Sequence, residues 1–340
     1  MVGLAVSYPC KNCGAPMVYD AGSGRMLCGH CGNSCTVEEA DSGHGQTEKE
    51  MRVYHCTSCG AEVIADEQTS ATVCGFCGTP NLVESRLAGE WKPSQVLPFT
   101  IDKKKAQELF RAWTKKGVFT PGILKKQSTL ESIAGIYVPY WIYDMDVHIR
   151  MQAHGTKVRS MRTGDWITTY TDHYDIFRDL DVEFEKIPVD ASEKMDDDTM
   201  DRLEPFRYEE LRSFRMPYLA GFCSERYDYD SSQMEPRAEE KIRHSAVSEA
   251  RNTIGGYSVV DVRQSQADCL VKSQDYTLLP VWLLSYRYQG QAYTLAMNGQ
   301  TGKIVGGIPQ EKKKMGIWFG GLTAVFFAIS LLGLAFGGGV

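Results

Sequence analysis

The sequence predicts an α+β protein with two tandem four-cysteine zinc ribbons, a mainly antiparallel β domain with a few helices, and one C-terminal transmembrane helix. Three observations lead to this prediction. Cys-x2-Cys pairs are concentrated in the first quarter of the 340 residues. Apolar and polar residues alternate in parts of the middle, and an uncharged apolar segment lies at the end. The expected units are a first ribbon at 1–40, a linker at 41–52, a second ribbon at 53–85, a cytosolic α+β domain at 90–309, a basic juxtamembrane segment at 310–315 and the transmembrane helix at 316–338.

A Cys-x2-Cys motif occurs four times in the first part of the chain. Fourteen residues separate the first motif from the second, and fourteen separate the third from the fourth. The second pair of motifs lies 46 residues after the first pair. Tetrahedral zinc takes four ligands, and each motif supplies two sulfurs from one tight turn that a glycine follows. The spacing therefore predicts two structural Zn²⁺ ions, each closed by four thiolates with no open position for catalysis. The predicted ligands are Cys10, Cys13, Cys28 and Cys31 in the first ribbon and Cys56, Cys59, Cys74 and Cys77 in the second.

Disulfide bonds between these cysteines are the alternative to metal, and they would need an oxidising compartment. The first residues have no basic region and only a short apolar stretch, so a signal peptide is not expected. Reduced thiolates in the cytoplasm are therefore the favoured prediction. Cys35, Cys223 and Cys269 stay outside the two ligand sets, and the last two are expected to fill apolar space. His30 lies inside a Cys-x2-Cys turn and is expected to face solvent.

No charged residue occurs from position 316 to position 340, and about 20 such residues are enough to cross a bilayer. A buried helix of a soluble domain would normally keep a polar stripe, whereas only Thr323 and Ser330 are polar here. Three lysines at 312–314 favour retention of the preceding chain in the cytoplasm. The expected protein is a single-pass, tail-anchored cell-membrane protein with cytoplasmic N-terminal domains. Gly-x3-Gly spacings at 316/320 and 333/337 leave homo-oligomer formation through this helix open.

The segment between the ribbons and the anchor shows two helical patterns and several strands. One helix is predicted from the cap Asp102 to Gly117, and a second is predicted to follow Pro236. Strict alternation over residues 147–154 predicts a half-buried strand. Two similar segments, 137–143 and 278–284, are each expected to enter a β-meander, and the Asn298-Gly299 dipeptide predicts a tight turn.

Candidate catalytic motifs in the α+β domain are incomplete. The segment 299–303 lacks the first glycine and the final Ser or Thr of a phosphate-binding loop. His148, His154 and His173 could share a metal, but exposed strand positions explain them as well. The acidic tract 190–201 lacks the Gly and Glu of a calcium loop and is expected to be a loop or a helix start. The sequence therefore predicts that the protein is not an enzyme.

Nucleic-acid binding is the main alternative function, because zinc ribbons are common in transcription and replication proteins. The net charge of the chain is −6, and residues 1–85 hold four Lys or Arg against ten Asp or Glu. Thiolate-bound zinc adds further negative charge. Such a surface repels phosphates, so nucleic acid is not expected as a partner.

Several motifs occur along the chain in addition to the two cysteine sets. They are Pro98-Phe99, the segment 135–141, the segment 218–222, Leu279-Pro280-Val281-Trp282 and the segment 297–303. With these motifs nearly the whole chain resembles a bacterial family of TFIIB-type zinc-ribbon membrane proteins, which are sometimes mislabelled as replication-restart helicase relatives. Genes of this family often lie beside genes for SPFH (flotillin-like) and phage-shock-protein-A-like proteins. The resemblance implies a role in envelope stress or membrane organisation.

Taken with the absence of complete catalytic motifs, these features predict a non-enzymatic, membrane-anchored adaptor or scaffold. Its ribbons and its α+β domain would present a cytosolic surface to other proteins, with SPFH/flotillin-like or phage-shock-protein-A-like proteins as candidate partners beside the lipid bilayer. A membrane-tethered nucleic-acid-binding regulator is the alternative.

Overall fold

The computed structural model describes residues 8–42, 52–56, 62–65, 82–85, 92–117, 119–125, 129–130 and 132–337. In these ranges the protein is a mixed α/β structure with mainly antiparallel sheets and few helices, which confirms the predicted fold class at this level. The helices are α1 (Val37–Ser42), α2 (Lys103–Lys116), α3 (Asp197–Leu203), α4 (Ser231–Asn252) and α5 (Lys312–Gly337). The strands are β1 (Tyr8–Pro9), β2 (Pro16–Asp20), β3 (Arg25–Cys28), β4 (Ser34–Cys35), β5 (Arg52–Cys56), β6 (Glu62–Ala65), β7 (Leu82–Ser85), β8 (Gln95–Val96), β9 (Ala134–Thr163), β10 (Trp166–Asp190), β11 (Arg212–Ser213), β12 (Cys223–Ser224), β13 (Val259–Tyr288), β14 (Gln291–Asn298) and β15 (Ile304–Val305).

Two small sheets come from the cysteine-rich part of the chain. The first has the order β1-β2-β3-β4, and the second has the order β6-β5-β7. Their strand registers repeat with the sequence, because Tyr8 pairs with Met17 in the first sheet and Tyr54 pairs with Val63 in the second. Both partners in the second pair lie 46 residues after their counterparts. The internal repeat of the sequence is therefore also a repeat of backbone pairing.

The large sheet has the order β10-β9-β13-β14-β15, with the short strands β8, β11 and β12 beside it. Strands β9 and β13 have 30 residues each and β10 has 25, so at about 3.3 Å per residue β9 can extend over about 100 Å. Strand β13 starts at Val259, which pairs with Thr156. Beyond that point, in the part of the chain that the structure describes, β9 pairs only with β10. We call this two-stranded hairpin, residues 157–172, the β-arm.

Helix α4 covers one face of the sheet formed by β9, β10 and β13. The alternation predicted for residues 147–154 is confirmed, because Val147, Ile149, Met151 and Ala153 are all buried on this face. The helix contributes a stripe at a spacing of four residues, which consists of Ala238, Ile242, Ala246 and Ala250. Small alanine side chains in this stripe let the helix lie close to the sheet.

The predicted start of α4 is wrong. Helix α4 begins at Ser231, and Pro236 lies inside it. The side chain of Asp230 accepts a hydrogen bond from the backbone N–H of Gln233 at 2.9 Å, and the Gln233 side chain accepts one from the N–H of Asp230 at 2.9 Å. This capping box stabilises the first turn, and a proline near the N-terminus of a helix removes few of its hydrogen bonds.

The other local predictions agree with the structure. Helix α2 begins after Asp102, whose carboxylate caps the N–H of Lys105 at 2.6 Å, and Gly117 ends it. The acidic tract provides the cap and first turn of α3. Asn298 ends β14, and its side-chain oxygen accepts the N–H groups of Gln300 and Thr301 at 2.9 Å each in the turn to β15. The two similar segments lie in β9 and β13, and they pair with each other over residues 137–139 and 278–280.

The aromatic motifs of the sequence meet in one cluster at the base of the large sheet. Phe99 stacks on Phe222 with ring centroids 4.2 Å apart, and it meets Tyr137 and Trp282 edge-on at 5.0 Å and 5.2 Å. The indole N–H of Trp282 donates to the carbonyl of Ile101 at 3.0 Å. Segments far apart in the sequence are thus joined by aromatic packing, which contributes beyond area burial alone.

A buried ion pair lies beside this region. Glu225 is fully buried, and its carboxylate accepts hydrogen bonds from Lys194 at 3.0 Å and from the Ser192 hydroxyl at 2.8 Å. Burial is the main influence on this carboxyl, and it raises the pKa of Glu225 from 4.5 to about 7 even though Lys194 opposes the change. Glu225 is therefore a titrating group in the folded protein near neutral pH.

Helix α5 begins at Lys312 and reaches Gly337, and its side chains are described from Lys314 to Phe327 and at Ile329. Within the part of the chain that the structure describes, no helix combines the length and the hydropathy that crossing a bilayer requires. The transmembrane helix expected at 316–338 stays a prediction.

Replacing Gly299 with alanine should destabilise the fold. An added Cβ would lie 2.6 Å from Phe99 and 2.8 Å from the Cβ of Pro280, so the aromatic cluster must shift. We expect a loss of about 1–3 kcal/mol in the free energy of unfolding, measured by urea denaturation of the full chain in mild detergent. Gly255→Ala is the control, since an added Cβ there meets nothing within 4 Å. Equal stability of the two variants would contradict close packing at Gly299.

Replacing Glu225 with glutamine should flatten the pH dependence of stability. The folded pKa is raised, so the folded protein holds the proton more tightly and its free energy of unfolding decreases as the pH rises from about 4.5 to about 7. The wild type should lose on the order of 3 kcal/mol relative to Glu225→Gln between about pH 5 and about pH 8. Urea denaturation at both values measures this difference. The exposed Glu249→Gln variant should follow the wild type; a slope in Glu225→Gln like that of the wild type would exclude Glu225 as the titrating group.

Candidate metal centre

The first Cys-x2-Cys turn follows directly from strand β1. The N–H of Cys10 donates to the carbonyl of Ala15 at 2.8 Å, and the N–H of Gly14 donates to the carbonyl of Cys10 at 2.8 Å. Gly14 adopts a φ of 73°, a conformation that a residue with a Cβ rarely adopts. The glycine after the second cysteine thus lets the chain close the turn with both sulfurs on one side.

The second turn follows β3 and has the same construction. The N–H of Cys28 donates to the carbonyl of Asn33 at 2.9 Å, and the N–H of Gly32 donates to the carbonyl of Cys28 at 3.0 Å. Gly32 also has a φ of 73°. Because β2 and β3 are adjacent and antiparallel, the two turns lie at the same end of the small sheet.

The four sulfurs of these turns form a compact cluster. All lie within 4.8 Å of one another, with 3.6 Å between Cys10 and Cys31 and 3.6 Å between Cys13 and Cys28. A tetrahedral zinc with bonds of about 2.3 Å needs sulfur–sulfur separations of about 3.8 Å, while a disulfide needs about 2.05 Å. The spacing therefore fits a metal ion held by four thiolates and does not fit disulfide bonds. This confirms that the first predicted ligand set can form one metal site.

Hydrogen bonds from backbone N–H groups lower the pKa of two of the thiols. The N–H of Asn12 is the main reason that the pKa of the Cys10 thiol falls to about 6, and the side-chain amide of Asn33, 3.7 Å from the sulfur, adds to it. The N–H of Asn33 lowers the pKa of Cys31 in the same way. The pKa of Cys13 instead rises to about 12, because the other sulfurs outweigh the N–H of Ala15. A dication supplies the positive charge that four adjacent thiolates require.

The site is buried on one side and open to solvent on the other. Cys10 and Cys28 are buried against the ribbon core, and Cys13 and Cys31 are exposed. Asn33 is a supporting residue that the sequence prediction missed. Its signal is an asparagine directly after the glycine of the second turn, and the second ribbon has Thr79 at the equivalent position.

The first ribbon is fixed to the large sheet. The N–H of Tyr19 donates to the carbonyl of Ala220 at 2.9 Å, and the Tyr19 ring meets that of Tyr218 at 5.4 Å. Arg215 forms a salt bridge of 2.8 Å with Asp41 at the end of α1. The ribbon core and the aromatic cluster of the α+β domain belong to one continuous core. The metal site therefore lies in a ribbon that packs directly on the α+β domain.

Cys35 lies near the metal site without joining it. Its sulfur is 4.0 Å from the sulfur of Met17, and burial raises the pKa of its thiol. A cavity of about 200 Å³ lies beside it, lined by Tyr8, Pro9, Cys10, Lys11, Met17, Cys35 and Ala40. A raised pKa keeps Cys35 protonated, which disfavours it as a metal ligand.

The second predicted ligand set is described only in part. Cys56 is buried at the end of β5, the position that corresponds to Cys10 at the end of β1. Cys59, Cys74 and Cys77 lie outside the described residues. The second site stays a prediction.

The histidines of the large sheet approach each other but do not complete a metal site. His154 Nε2 lies 2.9 Å from His173 Nδ1, and His154 Nδ1 lies 3.5 Å from an oxygen of Asp175. His148 contacts Asp181 at 2.8 Å and Asp179 at 3.3 Å. Among the described residues, only the four cysteines of the first ribbon bring three or more ligand atoms within 4.8 Å of one another. Cys223 is buried, as its predicted filling role requires, whereas Cys269 is only half-buried.

These observations define a mixed α/β protein with a four-cysteine cluster that can bind a metal ion. The chain belongs to the same family as the uncharacterized protein YdjG of Bacillus subtilis (strain 168). The two are 43% identical over 340 residues, which cover 99% of this chain and 100% of that protein. No profile of a known protein family matches the chain, and no solved structure matches it. The resemblance to TFIIB-type zinc-ribbon membrane proteins therefore stays a prediction.

Replacing Cys28 with serine should remove one metal ion per chain, because three thiolates and a hydroxyl hold zinc much more weakly than four thiolates. Metal analysis of the purified full-length protein measures this loss. Cys35→Ser is the matched control, since Cys35 lies in the same ribbon but outside the sulfur cluster. An unchanged metal content in Cys28→Ser would contradict the assignment of this site.

Proposed function

We propose that the protein is a non-enzymatic, membrane-anchored zinc-ribbon adaptor that presents a cytosolic docking surface in envelope stress or membrane organisation. The closed set of four thiolates supports this proposal, because it leaves no coordination position for water or substrate. Zinc in such a site holds the ribbon together, and the ribbon in turn is joined to the α+β domain through Tyr19 and Asp41.

A second zinc site with four cysteine ligands is part of the proposal. The equivalent strand register of β1-β2 and β5-β6 supports it, because the register places Cys56 at the strand end that Cys10 occupies in the first ribbon. A zinc content of two ions per chain is expected, and a content of one would exclude the second site.

Helix α5 supports the proposed anchor. Three consecutive residues, Ile317, Trp318 and Phe319, are exposed by 75%, 52% and 75%. Consecutive helix positions are about 100° apart, so these side chains point in different directions and cannot all pack on one neighbour. An environment that is apolar all around, such as lipid, matches this distribution. The uncharged sequence from 316 to 340 has the length that a membrane anchor needs.

Exposed apolar side chains at the tip of the β-arm support the proposed protein-docking surface. Met161, Trp166 and Ile167 are exposed by 62%, 80% and 68%, at the end of a hairpin that extends past β13. Large apolar side chains that stay exposed together mark interaction sites, and tryptophan is enriched among the residues that dominate binding energy. Partners of the SPFH/flotillin-like or phage-shock-protein-A-like type follow from the family resemblance.

Replacing Trp166 and Ile167 with serine should weaken partner binding by about tenfold or more. The measurement is affinity purification of the full-length protein from solubilised membranes, followed by titration with the recovered SPFH-type or phage-shock-protein-A-like protein. Thr168→Ala/Thr169→Ala is the control on the same strand. Deletion of 316–340 should leave this affinity intact but release the partner from the membrane. Unchanged affinity in the serine variant would contradict the docking surface, and unchanged localisation after the deletion would contradict the anchor.

A further inference from the structure

Helix α2 presents a row of cations to solvent. Its core side consists of Ala106, Phe110 and Thr114, which are buried. The remaining positions include six exposed basic residues, Lys103, Lys104, Lys105, Arg111, Lys115 and Lys116. The single acidic residue of the helix is Glu108, 3.6 Å from Lys105. The helix therefore has an apolar side that joins the core and a strongly basic side that does not.

The first turn of α5 is attached to the loop that follows α2. The N–H of Glu311 donates to the carbonyl of Phe119 at 2.9 Å, and the ammonium of Lys314 donates to the carbonyl of Thr120 at 2.7 Å. The ring of Phe119 meets that of Trp318 edge-on at 6.5 Å. These contacts place the C-terminal end of α2 beside the start of the apolar helix.

The segment around α2 is basic, unlike the chain as a whole. Residues 102–125 contain seven Lys or Arg and two Asp or Glu, although the net charge of the whole chain is −6. The net charge of the whole chain therefore does not reveal this locally positive surface. The surface is complementary to an anionic partner.

We propose that the basic side of α2, which lies beside the start of α5, binds the headgroups of anionic phospholipids at the point where α5 enters the membrane. This inference rests on the proposed membrane anchor. It goes beyond the anchor because it assigns a lipid class and places the contact on a helix some 200 residues earlier in the chain.

Two features favour a lipid surface over nucleic acid. The ring of Phe119, three residues after Lys116 in the chain, contacts Trp318, and aromatic side chains near lysines are typical of the boundary between headgroups and acyl chains. The amphipathic helix α2 also has its basic residues on its whole exposed side, as in helices that lie against anionic membranes. Each cation near such a surface changes membrane partitioning by about fivefold, and salt reduces the effect.

The test uses the full-length protein reconstituted in phosphatidylcholine vesicles with a trace of spin-labelled phosphatidylglycerol or spin-labelled phosphatidylcholine. The fraction of immobilised label gives the relative association of each lipid with the protein. We expect phosphatidylglycerol to be favoured by about fivefold or more at about 0.15 M salt, and by much less at about 1 M.

The variant Lys104→Gln/Lys115→Gln/Lys116→Gln should lose this preference. The matched control Arg212→Gln/Arg263→Gln/Arg287→Gln removes three exposed cations elsewhere and should keep it. A preference that survives the lysine substitutions, or equal association of both lipids with the wild type, would overturn the inference while the anchor stands. Absence of an immobilised fraction for either lipid would instead contradict the anchor, and with it this inference.

Nucleic acid is the other candidate anionic partner, and it is tested by adding a DNA duplex to the detergent-solubilised full chain. We expect no binding at about 0.15 M salt. Binding that the lysine variant loses and the arginine variant keeps would assign the surface to nucleic acid and overturn the lipid proposal.

Discussion

Antiparallel pairing of β9 with β10 on one side and β13 on the other is the interaction on which the rest of the structure depends. Strand β9 has 30 residues, and it pairs with β13 from Ala134 to Thr156 and with β10 from Tyr140 to Thr163, so both of its edges are paired from Tyr140 to Thr156 apart from the bulges. This rigid centre provides the face that α4 covers, the base where the aromatic cluster forms and the hairpin that extends as the β-arm. The first ribbon depends on this centre through Phe222, which contacts both Tyr19 of the ribbon and Tyr137 of β9.

The metal site and the large sheet depend on each other through the ribbon. A module of about 35 residues has too small a core to fold alone without a metal, a disulfide or a neighbour. The first ribbon has two such supports, because its sulfurs fit a metal and its Tyr19 joins the core around Phe222. Loss of the metal would therefore loosen the chain that packs against Tyr218 and Phe222, and the effect would reach the base of the sheet.

The sequence could predict the features that local chemistry determines. Cysteine spacing anticipated the sulfur cluster, the Asp102 cap anticipated α2, and period-two alternation anticipated the buried face of β9. The start of α4 is wrong because one local signal outweighs another. Proline at 236 suggests a helix start, whereas the capping box of Asp230 and Gln233 starts α4 earlier. The length of β9 is not evident from the sequence, because Gly155 interrupts its pattern. In the fold Ile176 and Tyr257 lie so close that an added Cβ at this position would meet each of them at 2.7 Å. The net charge of the chain does not reveal the basic side of α2, because acidic residues elsewhere outweigh its cations.

The proposed anchor would give the charges of the chain a role in orientation. Six exposed cations lie on α2, beside the loop that holds the first turn of α5. The cytoplasmic leaflet has a negative surface potential, so in the proposed anchored state it attracts this side of α2 and turns it toward the lipid. The adaptor proposal needs this orientation, because a docking surface facing the bilayer would be inaccessible to a cytosolic partner.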